Sequence, residues 1–80
     1  MVQDVFAQCY KAGVFRSVSV LIRDDLATVR YVTSEGSSGY IFTKRGDLKH
    51  YRLDTVLRFL REIGMDSVQV DMHEWNRSQG

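Results

Sequence analysis

Six basic side chains cluster in the middle of the chain, where they alternate with aromatic residues. Residues 40–61 hold six Lys and Arg residues against two acidic ones, a local net charge of +4. Basic side chains neutralise phosphates and aromatic rings stack on bases, so this composition favours nucleic-acid or partner contacts. The six candidate contact residues are Lys44, Arg45, Lys49, Arg52, Arg58 and Arg61. The alternative interpretation is an ordinary solvated hairpin whose aromatic rings lie on the core side, and a basic patch on a nearly neutral protein favours it.

Nucleophilic and acid–base catalysis find no support in the sequence. Serines are common, yet no Gly-x-Ser-x-Gly elbow is present. Cys9 lies on the apolar side of a predicted helix, where a thiol is buried and unreactive. The adjacent carboxylates Asp24 and Asp25 belong to a predicted tight turn, which offers no enclosing pocket for a substrate. We therefore predict that the protein is not an enzyme.

No metal site, phosphate site or cofactor is expected. A zinc site needs three or four ligands at characteristic spacing, whereas Cys9, His50 and His73 fall on three different predicted elements. The segment Gly36-Ser37-Ser38-Gly39 has the GxxG spacing of a loop that clamps a nucleic-acid backbone. Here, however, it joins two predicted strands and contains no basic residue. We interpret it as a plain hairpin loop.

Length and composition limit the protein to one small domain. The chain has 80 residues, of which 44% are hydrophobic and 26% are charged, and its formal net charge is +1. These values are ordinary for a globular domain and indicate no global attraction to nucleic acid or membranes. We place the domain at residues 1–74 and expect 75–80 to form a flexible tail.

The uncharged stretches, the N-terminal residues and the single cysteine indicate the cellular compartment. The longest uncharged stretch, residues 36–43, has only eight residues, far below the roughly 20 that a membrane-spanning helix needs. The N-terminal residues lack the basic and apolar regions of a signal peptide, so none is expected. Cys9 is the single cysteine, which excludes an internal disulfide and suits a reducing compartment. We therefore expect a cytoplasmic protein without membrane association.

Periodicity in the first two thirds of the chain predicts a helix followed by a meander of strands. Apolar residues at i, i+3, i+4 and i+7 predict a helix over 2–12, ended by Gly13. The period then changes to two, with Asp24-Asp25 as a tight turn and 34–39 as a polar loop. The predicted strands are 15–23, 26–33, 40–43 and 48–52.

The strongest pattern belongs to a second helix at 54–63. Its apolar residues fall within an arc of about 160°, with Leu57 and Leu60 at the centre. Asp54 is the predicted N-cap, and Gly64 is the predicted left-handed residue of a Schellman ending.

A last strand is predicted at 67–73, with Val68, Val70 and Met72 pointing inward. The element order is then α-β-β-β-β-α-β. The simplest architecture is a single two-layer α+β domain, in which an antiparallel sheet carries the helices on one face.

Two segments carry a resemblance to a known class of protein. They are Tyr31-Val32-Thr33-Ser34-Glu35-Gly36 with Tyr40, and Tyr51-Arg52-Leu53-Asp54-Thr55-Val56-Leu57-Arg58-Phe59-Leu60-Arg61-Glu62-Ile63-Gly64. The chain resembles small accessory proteins of bacterial plasmids and integrative elements, some of which are labelled partition-associated. The resemblance implies a cytoplasmic, non-enzymatic bacterial protein near DNA maintenance or transfer functions, and it transfers no functional residue.

Two functions remain open. The first is a small non-enzymatic interaction module that self-associates or binds a protein partner, because a short chain with many strand edges and no proline leaves those edges unguarded. The alternative is a nucleic-acid-binding module that uses the basic region 44–61. Steep salt dependence of DNA or RNA binding favours the alternative.

Overall fold

The computed structural model describes residues 1–73, which form two helices and one four-stranded sheet. In chain order the elements are α1 (Gln3–Lys11), β1 (Phe15–Arg23), β2 (Leu26–Thr33), β3 (Ser38–Tyr40), α2 (Leu53–Glu62) and β4 (Gln69–Asp71). The α+β fold class is therefore confirmed. The predicted tail 75–80 lies outside the described residues.

The long hairpin follows the predicted period-two pattern. β1 and β2 pair antiparallel, with Val20 opposite Val29 on the side that faces the helices. Arg23 lies opposite Leu26, so the predicted tight turn consists of Asp24 and Asp25 alone. Asp24 adopts a φ of 57°, a left-handed conformation that Asp tolerates better than most side chains.

The sheet is mixed and has the strand order β3-β2-β1-β4. β3 pairs antiparallel with β2, whereas β4 pairs parallel with β1. The sequence predicted an antiparallel sheet throughout. The difference arises from α2, which returns the chain along the sheet, so that β4 starts at the same end as β1. Crossovers of this kind are what parallel pairing requires.

The predicted strand 48–52 is replaced by two isolated bridges. Leu48 pairs with Phe42, whereas Tyr51 pairs with Ala27 of β2. The segment passes from one neighbour to the next within four residues, and it therefore cannot build a continuous ladder with either. One predicted strand is lost, and the observed order is α-β-β-β-α-β.

The third strand lies at Ser38–Tyr40 and not at the predicted 40–43. Gly39 is part of this strand and faces Tyr31 across the pair. A Cβ atom added at Gly39 would lie 2.5 Å from the Tyr31 hydroxyl oxygen. The tyrosine ring covers the glycine and occupies the space of its missing side chain, a stabilising arrangement that local propensity does not register.

Both helices pack on one face of the sheet, as predicted. A single buried cluster joins Phe6 of α1, Val56 and Leu60 of α2, and residues of β1 and β2. The Phe6 ring stacks on Phe15 with 4.9 Å between centroids. The fully buried large side chains are Phe6, Ile41, Leu60, Val20, Val29 and Val56.

The glycines correctly predict the C-terminal ends of both helices. Gly64 has a φ of 112°, and the Met65 amide donates to the Leu60 carbonyl at 3.1 Å, which defines a Schellman ending. Gly13 ends α1 in the same way. The predicted N-cap of the second helix is wrong: Arg52 occupies that position without a side-chain hydrogen bond, and Asp54 lies inside the first turn.

The buried face of α2 is rotated from the predicted one. Val56 and Leu60 are buried, whereas Leu57 is 38% exposed. Leu57 lines a groove with the segment 65–68, and this segment leaves it partly open to solvent. Leu57 therefore lies at the centre of the predicted apolar arc but is not buried.

Candidate interaction surfaces

The six predicted contact residues do not converge on one site. Arg52 lies 3.7 Å from the Asp54 carboxylate, and Arg61 donates to Asp66. The Lys49 ammonium lies 5.3 Å from the centroid of the Tyr51 ring, within cation–π distance. Three of the six basic side chains therefore already have partners inside the protein.

Two of the basic residues share a groove. Lys44 and Lys49 line a depression of about 330 Å³ together with Asp4 and Phe42. Arg61, in contrast, lines a different groove beside α2. Because an acidic side chain shares the first groove with the two lysines, its charge is mixed, which weakens attraction for a phosphate chain.

The aromatic residues of the basic region divide between the core and the surface. Tyr51 is buried, its hydroxyl donates to Oε1 of Gln3 at 2.7 Å, and burial raises its pKa to about 12. Tyr40 and His50 line a depression of about 320 Å³ on the sheet face opposite the helices. The rings therefore do not form one stacking platform.

The residues weighed for catalysis or metal binding occupy positions without an assembled site. Cys9 is half-buried, and the Gly36–Gly39 segment lies in the β2–β3 connection and in β3. Within residues 1–73, no group of three or more His, Cys, Asp or Glu side chains is placed to hold a metal ion.

One edge of the sheet is covered by the chain itself. The N-terminal ammonium of Met1 donates to the Tyr40 carbonyl at 3.2 Å, and the Phe42 amide donates to the Met1 carbonyl at 2.8 Å. The Lys49 amide donates to the Ile41 carbonyl at 3.0 Å. The N-terminus and the 48–49 segment therefore cover the end of β3 and the two residues that follow it.

The opposite edge is open. β4 pairs with β1 on one side, and no strand among residues 1–73 pairs with its other side. All three residues of β4 are exposed. We call the outer backbone side of Gln69–Asp71 the β4 edge.

An exposed set of apolar side chains accompanies the β4 edge. Val70 lies beside the buried Val20 and therefore faces the helix side of the sheet, yet it remains 36% exposed. Met72 follows at the same parity and is 56% exposed. Leu53 and Leu57, one turn apart on α2, are 40% and 38% exposed. We call Leu53, Leu57, Val70 and Met72 the apolar row.

One member of the apolar row, Leu57, lines a groove between α2 and the segment that leads into β4. The groove has a volume of about 250 Å³. Its lining residues are Leu57, Leu60, Arg61, Met65, Asp66, Ser67 and Val68. The segment 65–68 therefore connects this flank of α2 to the open β4 edge.

Analysis of the sequence did not identify this surface. It assigned Val70 and Met72 to the interior because they alternate with polar residues, and alternation does not reveal whether a covering layer is present. Only the position of β4 at the end of the strand order leaves these residues exposed.

Comparison with known proteins supplies no relative. The chain matches no protein-family model, and neither a curated protein nor a solved structure matches it. Neither helix within residues 1–73 has the length and apolar character needed to cross a membrane.

Proposed function

We propose that the protein is a non-enzymatic interaction module that binds a protein partner by strand addition at the β4 edge. The observation that carries this proposal is the difference between the two sheet edges. Met1 bonds to Tyr40 at the end of β3, and Met1 and Lys49 bond to the two residues that follow it, whereas no described strand covers the outer side of β4. Strand addition uses backbone hydrogen bonds for affinity and alternate side chains for specificity.

The apolar row supports the same function. Scattered exposed apolar residues are normal on a protein surface, whereas a contiguous set beside an open edge is typical of an interaction site. Val70 and Leu57 lie on the helix side of the sheet. A partner strand would therefore bring its own inward-facing side chains against them.

Nucleic-acid binding through the region 44–61 is the weaker candidate. Lys49, Arg52 and Arg61 already contact Tyr51, Asp54 and Asp66. These contacts compete with a phosphate for the same side chains. In line with the sequence resemblance, we also propose that the module acts in the cytoplasm as an accessory protein of a bacterial plasmid or integrative element.

Photo-crosslinking tests the proposal with a matched pair of positions. Gln69 on β4 and Ser38 on β3 are both exposed, and their pairing registers place them on the same sheet face at opposite edges. Benzoylphenylalanine is introduced at each position in turn, in cells that produce the protein. We expect protein adducts from position 69 in clear excess over position 38.

Two results would contradict the proposal. Equal adduct yields from both positions would mean that the β4 edge has no special role. Adducts to DNA or RNA in place of protein would favour the nucleic-acid alternative. Far-ultraviolet circular dichroism of both labelled proteins controls for folding.

A further inference from the structure

We propose that the partner is a second copy of this chain, joined β4 to β4 in antiparallel orientation about a two-fold axis at Val70. This inference rests on the proposed function and names its partner. The two sheets would then form one continuous eight-stranded sheet, with all four helices on one side.

The side chains of β4 are self-complementary in this register. Val70 lies opposite Val70 of the second copy, and each Gln69 lies opposite an Asp71. Gln69 and Asp71 both lie on the sheet face away from the helices, because they pair with Ser19 and Leu21 of β1. A carboxamide donates two N–H groups, and an ionised carboxylate only accepts, so both symmetric pairs are hydrogen-bond complements.

Alternative registers are less favourable. A shift that places Asp71 opposite Asp71 brings like charges together. A shift by one residue places Val70 opposite a polar residue of the second copy and puts the helices of the two copies on opposite sheet faces. Asp71 also accepts a hydrogen bond from the His73 amide at 2.9 Å, which turns the chain after β4 and limits the pairing to a short segment. A carboxylate has acceptor capacity left for a second donor.

The apolar row fits a copy of itself. In the two-fold arrangement, Val70 meets Val70 of the second copy on the helix side, where both side chains are exposed in the single chain. A two-fold interface uses the same patch on both partners. The formal net charge of +1 imposes little repulsion between copies.

The covered edge limits the assembly to two copies. Among residues 1–73, the β4 edge has no pairing partner on its outer side, whereas Met1 and Lys49 bond to the end of β3 and to the two residues after it. Pairing of the two β4 edges leaves a sheet whose ends are both β3. The assembly therefore closes as a dimer and does not propagate as a filament.

Light scattering with size exclusion tests the dimer on the full chain over a wide concentration range. We expect the mass to rise with concentration from 9.2 kDa to twice that value. Gln69→Glu places a second carboxylate opposite Asp71 and should raise the dimerisation midpoint about fivefold. Gln69→Lys supplies an opposite charge and should lower it. Ser38→Glu, on β3 at the opposite edge of the sheet, should leave the midpoint unchanged.

A disulfide tests the register. In the Cys9→Ser background, Val70→Cys places two thiols directly opposite, where Cα atoms lie about 5 Å apart. Gln69→Cys places its two Cα atoms about 8 Å apart, too far for a bridge. We expect Val70→Cys to crosslink roughly tenfold faster than Gln69→Cys under mild oxidation. Equal rates would overturn the proposed register.

The outcomes separate this inference from the proposed function. A mass that stays at 9.2 kDa at every concentration overturns the second copy as partner. If position 69 still crosslinks to another protein, the interaction module stands with a different partner. If neither position crosslinks, both proposals fail. A mass that grows beyond two copies also overturns the dimer, because it would require a second open edge.

Discussion

At the scale of single residues, Tyr51 connects several parts of the fold. Its backbone pairs with Ala27 through hydrogen bonds of 2.8 Å in both directions, and its hydroxyl donates to Gln3 of α1. Its ring stacks against Phe59 of α2 with 6.3 Å between centroids. A residue outside every strand and helix thereby ties β2 to both helices.

The buried Tyr51 hydroxyl predicts a loss of stability at alkaline pH. Its pKa is about 12 in the folded protein against an ordinary value of 10.0. Between these values the folded chain keeps a proton that the unfolded chain has lost. The contribution of Tyr51 to the free energy of unfolding is therefore complete below pH 10. It decreases as the pH approaches 12, by about 2–3 kcal/mol in all. Denaturant titrations at pH 8 to 11.5 measure this slope.

Tyr51→Phe is the matched control for that slope. The variant cannot ionise at this position, so its stability should decline less steeply than that of the wild type over the same pH range. It should also lose about 1 kcal/mol at neutral pH, because Gln3 loses a hydrogen-bond donor. Identical pH slopes for both proteins would show that Tyr51 does not carry the effect.

The burial of side chains on α2 predicts a ranking of the stability losses caused by alanine substitutions. Leu60 is 1% exposed, and Leu60→Ala should lower the free energy of unfolding by about 2–5 kcal/mol. Leu57 is 38% exposed, and Leu57→Ala should cost about 1 kcal/mol. Arg58→Ala, on the exposed face, should cost less than about 0.5 kcal/mol. Urea unfolding orders the three variants, and a larger loss for Leu57→Ala would mean that the helix face is assigned incorrectly.

At the scale of elements, two turns share one hydrogen-bond pattern. In Thr33–Ser37 and Thr43–Asp47, the threonine amide donates to the carbonyl four residues later, at 2.7 Å and 2.6 Å. The threonine hydroxyl accepts from the amide of that same later residue, at 3.1 Å and 3.2 Å. Gly36 and Gly46 hold a φ of 94° at the fourth position. A Thr-x-x-Gly-x sequence therefore specifies the turn twice, with opposite charges at its tip.

We expect removal of the threonine hydroxyl group to have the same effect on stability in both turns. Thr33→Val and Thr43→Val keep the branched shape but remove the acceptor for the Ser37 and Asp47 amides. Each variant should lose up to about 1 kcal/mol, because both amides can bond to water instead. Hydrogen exchange should accelerate at the corresponding amide only. Ser34→Ala and Lys44→Ala, at exposed tip positions, serve as controls and should leave exchange unchanged.

At the scale of the whole molecule, the near-neutral charge favours the proposed protein partner over nucleic acid. A formal net charge of +1 gives little long-range attraction for polyanions, and the six basic residues do not share one surface. We therefore predict no measurable binding of duplex DNA or RNA at about 50 mM salt, where electrostatic attraction is strong. Fluorescence anisotropy with labelled duplexes measures this.

Binding of nucleic acid through the basic region would show a characteristic salt dependence. Each neutralised phosphate adds about −0.9 to the slope of log K against log salt concentration for duplex DNA. Four contacts from Lys44, Arg45, Lys49 and Arg52 would give a slope near −3.6. If such binding appears and Lys44→Glu with Arg45→Glu abolishes it, the basic region is the functional surface.

The elements with strong local signals could be predicted from the sequence. The period-two pattern and the Asp24-Asp25 turn defined β1 and β2, and the glycines at 13 and 64 marked both helix ends. These features depend on residues close together in the chain, whose conformations local sterics and hydrogen bonding determine.

The tertiary structure decided what local patterns cannot encode. Gly39 became part of a strand because the Tyr31 ring covers it, and the 48–52 segment lost its ladder because it crosses between two neighbours. Leu57 and Val70 match the apolar pattern, yet whether they are buried depends on which element lies over them. The strand order places β4 at an edge that no described strand covers, whereas Met1 bonds to the end of β3 at the other edge. Strand order is set by contacts between residues far apart in the chain, which alternation of side chains does not report.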